Sequence, residues 1–172
     1  MRGLEIRSTA CPHPHAQDFI QGEVHDPNAM LLGGVAGHAG LFSTAGDLAV
    51  FLTMLLNGGR HADLQLIQPA TVEKFTARVG EGSTRALGWD TKSAEGSSAG
   101  TKFAMRSFGH TGYTGTCVWT DPERKMFGIL LSNRVHPTSE NLKITQVRPK
   151  FFNAVAEAAE GEGEFHAEAQ GR

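Results

Sequence analysis

The sequence lacks any apolar run close to the roughly 20 residues that a membrane-spanning helix needs. Residues 1–15 also lack the apolar core of a secretory signal peptide. We therefore expect no membrane span, and a cytoplasmic location is the default interpretation.

An excess of positive charge is absent as well. The 16 Lys and Arg residues are outnumbered by 18 Asp and Glu residues, which gives a formal net charge of −2. Because nucleic-acid binding needs a clustered basic surface, this balance argues against a nucleic-acid partner. With 172 residues, of which 40% are hydrophobic and 20% charged, the composition is typical of a single globular domain.

Cysteine is scarce, since Cys11 and Cys117 are the only two. They are too few for a disulfide scaffold and lack metal-site spacing, so buried free thiols are the favoured interpretation. His13 and His15 are spaced like a metal-binding pair, but no third ligand lies in register, and zinc needs three or four. The sequence therefore predicts no metal site and no cofactor.

The clearest local signal that is present is a helix in "STAGDLAVFLTMLLNGG". Ser43 or Thr44 can cap it, Asp47 lies in its first turn, and Asn57-Gly58-Gly59 can end it. Apolar residues recur on every side, which predicts a helix that is buried nearly all round. Capping explains Ser43 and Thr44 better than a catalytic role does.

The other predicted elements follow from turn residues and apolar periodicity. Residues 1–42 show little periodicity and predict a loop-rich segment with short elements. The later elements are a helix from Pro69 to Ala77, strands over 86–90, 103–111, 116–120 and 126–133, and a helix over 140–159 with a kink or break at Pro149. Residues 161–172 are too polar and Gly-rich to fold alone and predict a flexible tail.

Chemistry-bearing residues converge where the strand ending at Thr111 meets a Gly-rich turn, in "FGHTGYTG". Gly112 leaves room for a substrate against the strand edge, and the amide of Tyr113 can donate to a developing oxyanion. Thr111 offers a hydroxyl to a substrate carboxylate or carbonyl, and His110 can be charged near neutral pH. The alternative is that this stretch is a plain hairpin turn.

The order of these elements resembles the penicillin-recognising serine hydrolases, which include class C β-lactamases, DD-peptidases and esterases. His110-Thr111-Gly112 is similar to the Lys-Thr-Gly or His-Thr-Gly triplet of that family, and "CVWTDPERKMFGILLSNRVHPT" to the two strands that follow it. "GEVHDPNA", "GGVAGHAGLFSTAGDLAVFLTMLLNGG" and "LGW" add to a resemblance that covers residues 5–158. It implies an α+β fold, with an antiparallel sheet flanked by helices.

Two motifs of that family are absent from this sequence. The family nucleophile is the Ser of Ser-x-x-Lys, and a Tyr-x-Asn motif supplies a second base. No serine here precedes a lysine by three positions, and the single tyrosine, Tyr113, is followed two positions on by Gly115. The resemblance therefore implies a C-terminal part of such an enzyme, an incomplete domain over residues 1–160 without the N-terminal strands and nucleophile helix.

Three histidines are further candidates. The resemblance places His38 near the rim of the cleft, where it can contact substrate. His136 follows the last strand and either lines the far side of the cleft or is a surface turn residue. His25-Asp26 can be read as a catalytic dyad or as a loop-pinning hydrogen bond, of which the second is favoured.

Two functions remain open. In the first, the chain is part of a serine hydrolase that acts on amides or esters, such as cell-wall peptides, β-lactams or small esters. The isolated chain is then expected to be inactive. The second is a non-catalytic remnant that binds a ligand or self-associates. The missing N-terminal strand would leave "KMFGILLSN" as an exposed sheet edge, which predicts a homo-oligomer.

Overall fold

The computed structural model describes the backbone of residues 22–170 and the side chains of residues 22–160. It has three layers, with one helix on each face of a four-stranded antiparallel sheet. Cys11, His13 and His15 lie outside the described residues, so the expectations placed on them stay predictions.

The sheet is formed by β3 (Asp90–Thr91), β4 (Phe108–Thr111), β5 (Cys117–Asp121) and β6 (Met126–Leu130), in that spatial order. The β5–β6 hairpin turns at the acidic and basic residues where the sequence predicts a turn. Strand β3 pairs only with Phe108 and Gly109. The outer edge of β4 is therefore open at its end, where His110 and Thr111 lie.

Helix α2 (Ala45–Leu56) begins at the predicted cap. The amide of Asp47 donates to Thr44 Oγ1 at 3.1 Å, and Thr44 Oγ1 donates to Asp47 Oδ2 at 2.9 Å. The prediction that this helix is buried nearly all round is wrong. Leu52, Met54 and Leu55 are buried against the sheet, whereas Val50 is 51% exposed, because no described element packs on the outer side of α2.

Helix α4 (Ile144–Gln170) covers the opposite face of the sheet and runs through Pro149 without a break. Of the predicted kink or break, the break is wrong, because Pro149 removes only one helical N–H and Phe152 and Ala156 are fully buried beyond it. A kink at Pro149 stays a prediction. The helical backbone continues through most of the predicted tail, as an extension of a packed helix rather than as an element that folds alone.

Three sequence-predicted strands are shorter than expected, and the one predicted over 126–133 ends at Leu130. The carboxylate of Asp121 accepts the Ala104 amide at 2.8 Å, and the Ser107 amide donates to Ala104 O at 3.0 Å. These bonds form turns over the segment expected to open the longer strand, so β4 begins only at Phe108. The strand expected over 86–90 begins only at its last residue, Asp90, and ends at Thr91.

Three short elements complete the fold. They are α1 (Pro27–Leu31), a two-stranded hairpin of β1 (Arg60–His61) and β2 (Leu64–Gln65), and α3 (Pro69–Thr76). The short hairpin was not predicted, because its residues carry no Asn-Gly or Gly-Gly turn signal. Helix α3 starts at the predicted proline.

Two buried clusters lie on the two faces of the sheet. On the α4 face, Trp119 of β5, Phe103 and Phe152 form the larger cluster. Phe108 and the buried side of α2 form the other. Cys117 lies in the α4 cluster as a free thiol, and burial raises its pKa to about 12. This confirms the buried-thiol interpretation for Cys117.

Candidate functional site

A groove of about 1000 Å³ opens beside the end of β4. One wall, called the hairpin wall, is the segment of residues 110–116, of which all but Gly115 line the groove. The facing wall, called the loop wall, consists of residues 23–27 and 38–43. The groove brings together five of the predicted site residues, which are His38, His110, Thr111, Gly112 and Tyr113. Leu48 of α2 also lines it, so the capped helix lies beside the site.

The hairpin wall is held by hydrogen bonds from within the turn and from the segment after β6. Within the turn, the Gly112 amide donates to Thr116 O at 2.8 Å, and the Gly115 amide to Gly112 O at 3.1 Å. From outside, Ser132 Oγ donates to Gly115 O at 2.9 Å, and the Arg134 amide to Thr114 O at 2.8 Å. The turn is therefore preorganised by its neighbours.

The Tyr113 amide donates to no acceptor among the described residues, whereas the amides of Gly112 and Gly115 in the same turn are paired. The ring of Tyr113 is stacked on His25, with centroids 5.6 Å apart. The guanidinium of Arg134 lies 4.3 Å from the Tyr113 centroid, and its Nε donates to Tyr113 O at 2.6 Å. The side chain and carbonyl of Tyr113 are thus fixed, while its N–H remains available to a ligand.

His110 and Thr111 leave β4 on opposite faces of the sheet. His110 is paired with Val118, whose side chain belongs to the α2 face, and is exposed in the groove. Thr111 is paired with Cys117, on the α4 face. Thr111 also lines a second cavity of about 340 Å³, which reaches Arg148 of α4. The two side chains can therefore contact one ligand only around the open end of the strand.

The structure gives a reason for glycine at position 112 that the sequence did not reveal. A Cβ at this position would collide with the hydroxyl of Thr116 across the turn. Packing within the hairpin itself therefore requires a residue without a side chain at position 112. Room for a substrate, which the sequence suggested, is an additional interpretation rather than the only one.

The loop wall depends on one carboxylate. Asp26 Oδ1 accepts the Ala29 amide at 2.8 Å as the cap of α1, and lies 2.9 Å from His38 Nε2. The bond from Ala29 and then the bond to His38 lower the pKa of Asp26. Asp26 therefore pins the loop through His38, and this geometry does not form the His25-Asp26 dyad.

His25 has a different role in the loop wall. Its Nε2 is buried without a hydrogen-bond partner among the described side chains, and burial lowers its pKa. Because its ring stacks on Tyr113, His25 joins the loop wall to the hairpin wall. A solitary histidine before an aspartate gave no sequence signal for this contact.

His136 is not among the residues that line the groove. The amides of Val135 and His136 donate to Asn133 Oδ1 at 3.1 and 3.2 Å, so the chain turns at Asn133, which does line the groove. The geometry therefore favours the surface-turn interpretation of His136, and its substrate contact remains an untested prediction.

Sequence reasoning did not identify Arg148, which supports the hairpin wall from α4. Its Nη2 donates to Gly112 O at 2.7 Å and to Thr116 O at 3.0 Å. A signal was available, since Ile144, Arg148 and Phe152 recur every four residues and therefore share one helix face. A charged residue on an otherwise apolar face indicates a specific partner in the core.

Within the described part of the chain, no three His, Cys, Asp or Glu side chains cluster closely enough to hold a metal ion. Over the same residues, no helix combines the length and apolarity needed to cross a bilayer.

Comparison with known proteins agrees with this architecture. Residues 4–149 match the family model described as Beta-lactamase. A protein of Escherichia coli K12 named "Putative D-alanyl-D-alanine carboxypeptidase" is 43% identical over 120 residues, which are 68% of this chain and 28% of that protein. A protein of the same name from Salmonella gallinarum is 41% identical over 128 residues, which are 73% of this chain and 30% of that protein. The chain thus spans less than a third of these relatives.

A solved structure is similar in fold. The crystal structure of a β-lactamase from Mycobacterium bovis aligns with a TM-score of 0.58, over 70% of this chain and 46% of that one. The two sequences are 21% identical there, so this likeness concerns the fold alone.

Proposed function

Because the chain belongs to the β-lactamase family of penicillin-recognising serine hydrolases, we propose that it supplies the substrate-binding wall of a groove that cleaves amide or ester bonds. The observation that carries this proposal is the free Tyr113 amide in a preorganised turn, beside His110 and Thr111. A fixed N–H donor at the point where negative charge develops is a large source of transition-state stabilisation.

The proposed substrates are small molecules or peptides. Cell-wall peptides are the first class to test, because two relatives carry a D-alanyl-D-alanine carboxypeptidase name. Such a peptide ends in a carboxylate, which Thr111 can bind through its hydroxyl and His110 can attract when protonated. β-Lactams and small esters also present a carbonyl to the Tyr113 amide, but their binding does not require a terminal peptide carboxylate.

The printed sequence contains no Ser-x-x-Lys, so the chain on its own is proposed to be inactive. Ser43 and Ser132 line the groove. Ser43 Oγ lies 3.4 Å from Thr44 O at the start of α2, and Ser132 Oγ donates to Gly115 O at 2.9 Å, so neither hydroxyl is paired with a lysine. An unassisted serine hydroxyl is a weak nucleophile at neutral pH. The residues that attack the carbonyl are therefore proposed to be supplied by a part of the enzyme other than this chain.

Intact-mass measurement tests this proposal. The chain is incubated with a fluorophosphonate and, separately, with nitrocefin, and no adduct is expected. The part of the Escherichia coli relative outside its 120 matched residues is then supplied in trans. An adduct on that added part, weakened by Thr111→Val in this chain, is the expected result. A stoichiometric adduct on this chain alone would overturn the proposal.

A second candidate function is self-association, which the exposed edge of β6 favours. In the described part of the chain, β6 is the last strand of the sheet and has no neighbour on its outer side. Unpaired strand edges are sites of pairing between chains. Size-exclusion chromatography with light scattering is expected to give a homodimer or larger species, whereas a monomer at tens of micromolar would exclude this candidate.

A further inference from the structure

Arg148 is a buried cation without an acidic partner. Its side chain lies in α4, the residue is only 9% exposed, and no carboxylate within residues 22–160 forms an ion pair with it. Burying a guanidinium is unfavourable unless its hydrogen-bonding capacity is used. Desolvation accordingly lowers the pKa of Arg148.

The acceptors that Arg148 does have are two carbonyls of the hairpin wall. Nη2 donates to Gly112 O at 2.7 Å and to Thr116 O at 3.0 Å, across a sequence separation of 36 and 32 residues. Bonds from a charged donor are shorter and stronger than bonds between neutral groups. One guanidinium nitrogen of α4 therefore holds both sides of the turn.

The bond to Gly112 O has a consequence for the next amide. The carbonyl of Gly112 and the N–H of Tyr113 belong to one peptide unit, and the only cis peptide within the described residues is His136-Pro137. In a planar trans peptide the C=O and N–H vectors point in opposite directions. Holding Gly112 O toward α4 therefore turns the Tyr113 N–H away from α4.

We propose that Arg148 is the positioning residue that aims the Tyr113 N–H into the groove. It contacts no substrate, and it acts through the Gly112–Tyr113 peptide group. Its positive charge at the carbonyl also polarises that peptide group, which makes the N–H a stronger donor. This inference rests on the proposed function, because the Tyr113 N–H serves catalysis only if the groove binds a substrate. The orientation of that N–H can nevertheless be measured in this chain by itself.

The turn has a weaker means of holding the same carbonyl. The Gly115 amide also donates to Gly112 O, at 3.1 Å, from within the hairpin. Without Arg148 this bond remains, so the hairpin should persist while the peptide plane gains freedom to rotate. The expected effect of losing Arg148 is therefore local, at Tyr113, rather than a loss of the strand pairing.

Residual dipolar couplings of the full-length ¹⁵N-labelled chain measure the inclination of the N–H bond, and NOEs of the amide proton show on which side of the turn that proton lies. In the unsubstituted chain, the Tyr113 coupling is expected to fit a single orientation, with amide-proton NOEs to side chains of the groove and none to α4. In Arg148→Met that coupling should be averaged or reoriented, while couplings in β5, β6 and α2 stay unchanged. Arg148→Lys, which keeps one charged donor, should restore part of the orientation. Lys150→Met, exposed on the same helix, is the matched control and should change nothing.

Two outcomes would overturn the inference. One is a Tyr113 amide proton that gives NOEs to α4, or an averaged Tyr113 coupling, in the unsubstituted chain, and this measurement decides the matter even if Arg148→Met does not fold. The other is an Arg148→Met chain that folds with the Tyr113 coupling unchanged.

An acetate titration at constant ionic strength separates this inference from the proposed function. In the unsubstituted chain, acetate is expected to shift the Tyr113 amide proton, and in Arg148→Met that shift should be lost. If acetate shifts nothing while the couplings change as expected, the donor role in hydrolysis fails and the positioning by Arg148 stands. If acetate shifts the Tyr113 proton equally in both chains, the positioning fails and the proposed function survives.

Discussion

The two walls of the groove are stabilised in different ways. The hairpin wall receives hydrogen bonds from the segment after β6 and from Arg148 of α4, in addition to those within its own turn. The loop wall rests on α1, whose cap Asp26 also pairs with His38, and on the stack of His25 with Tyr113. Leu41, in the loop wall, is 86% exposed.

Because of this difference, we expect the hairpin wall to be rigid and the loop wall to be adjustable. A donor that stabilises a transition state is effective when it is fixed before the substrate arrives, because no reorganisation is then needed during the reaction. The hairpin wall, which carries the free Tyr113 amide, meets that requirement. Segments with few buried apolar contacts open at low free-energy cost, and the loop wall has this property.

The largest effect is expected from Trp119→Ala, which removes the support beneath the hairpin wall. Trp119 is 2% exposed, packs under Gly109 and donates from Nε1 to Ser98 Oγ at 3.0 Å. Truncation should lower the free energy of unfolding by about 3–5 kcal/mol. Leu41→Ala in the loop wall should change it by less than about 0.5 kcal/mol. Urea denaturation measures both, and equal losses would mean that the two walls do not differ.

A pair of glycine substitutions should give the next largest difference. Gly115 has φ +120, and a Cβ there would lie 2.7 Å from Ser132 Oγ. Gly115→Ala should therefore destabilise the chain by about 1–3 kcal/mol. Gly37, beside the loop wall, has open space around its Cβ position and no positive φ. Gly37→Ala should be neutral or slightly stabilising, and a larger loss at Gly37 than at Gly115 in thermal unfolding would refute the comparison.

Substitutions at Asp26 should act on the loop wall alone. Asp26→Asn keeps an oxygen that can cap α1 but loses the charge that faces His38, whereas Asp26→Ala loses both. We expect faster amide exchange over residues 27–40 in both variants, with the larger increase in Asp26→Ala. Hydrogen–deuterium exchange resolved by residue measures this. Faster exchange over residues 110–116 as well would show that the walls are coupled.

The smallest effect is a pH dependence at His25. Burial lowers its pKa from 6.5, so the unfolded chain takes up a proton more readily than the folded one. The contribution of His25 to stability is therefore present above pH 6.5 and decreases as pH falls from 6.5 toward the folded pKa. His25→Phe keeps an aromatic ring on Tyr113 and should abolish this slope. An NMR titration giving a His25 pKa above 6.5 would reverse the predicted sign.

The parts of this fold that the sequence predicted are those with local causes. Thr44 was recognisable as a cap, and the β5–β6 turn and the start of α3 were recognisable from their turn residues and proline. The parts that were missed depend on contacts distant in sequence. The Asp121 carboxylate, 17 residues away, shortens β4, and packing by Phe152 carries α4 through Pro149.

The candidate site shows the same division between local and distant causes. His38, His110 and Tyr113 were identified from residue chemistry and family resemblance, and the structure brings them to one groove. Arg148 was missed because its partners, Gly112 and Thr116, are backbone carbonyls, which have no side-chain identity that a sequence can show. His136 is not among the residues that line the groove, its amide donates to Asn133 Oδ1, and its contact with substrate stays a prediction.

The central claim is that the hairpin wall presents a ready-made ligand surface, and an NMR titration tests it most directly. The ¹⁵N-labelled chain is titrated with N-acetyl-D-alanyl-D-alanine, whose carbonyl and carboxylate match the proposed substrates. The account predicts saturable shifts concentrated at His110, Thr111 and Tyr113, with smaller shifts at His38 and no chemical conversion of the peptide. Saturable shifts located elsewhere, or no shift of the Tyr113 amide at millimolar peptide, would contradict it.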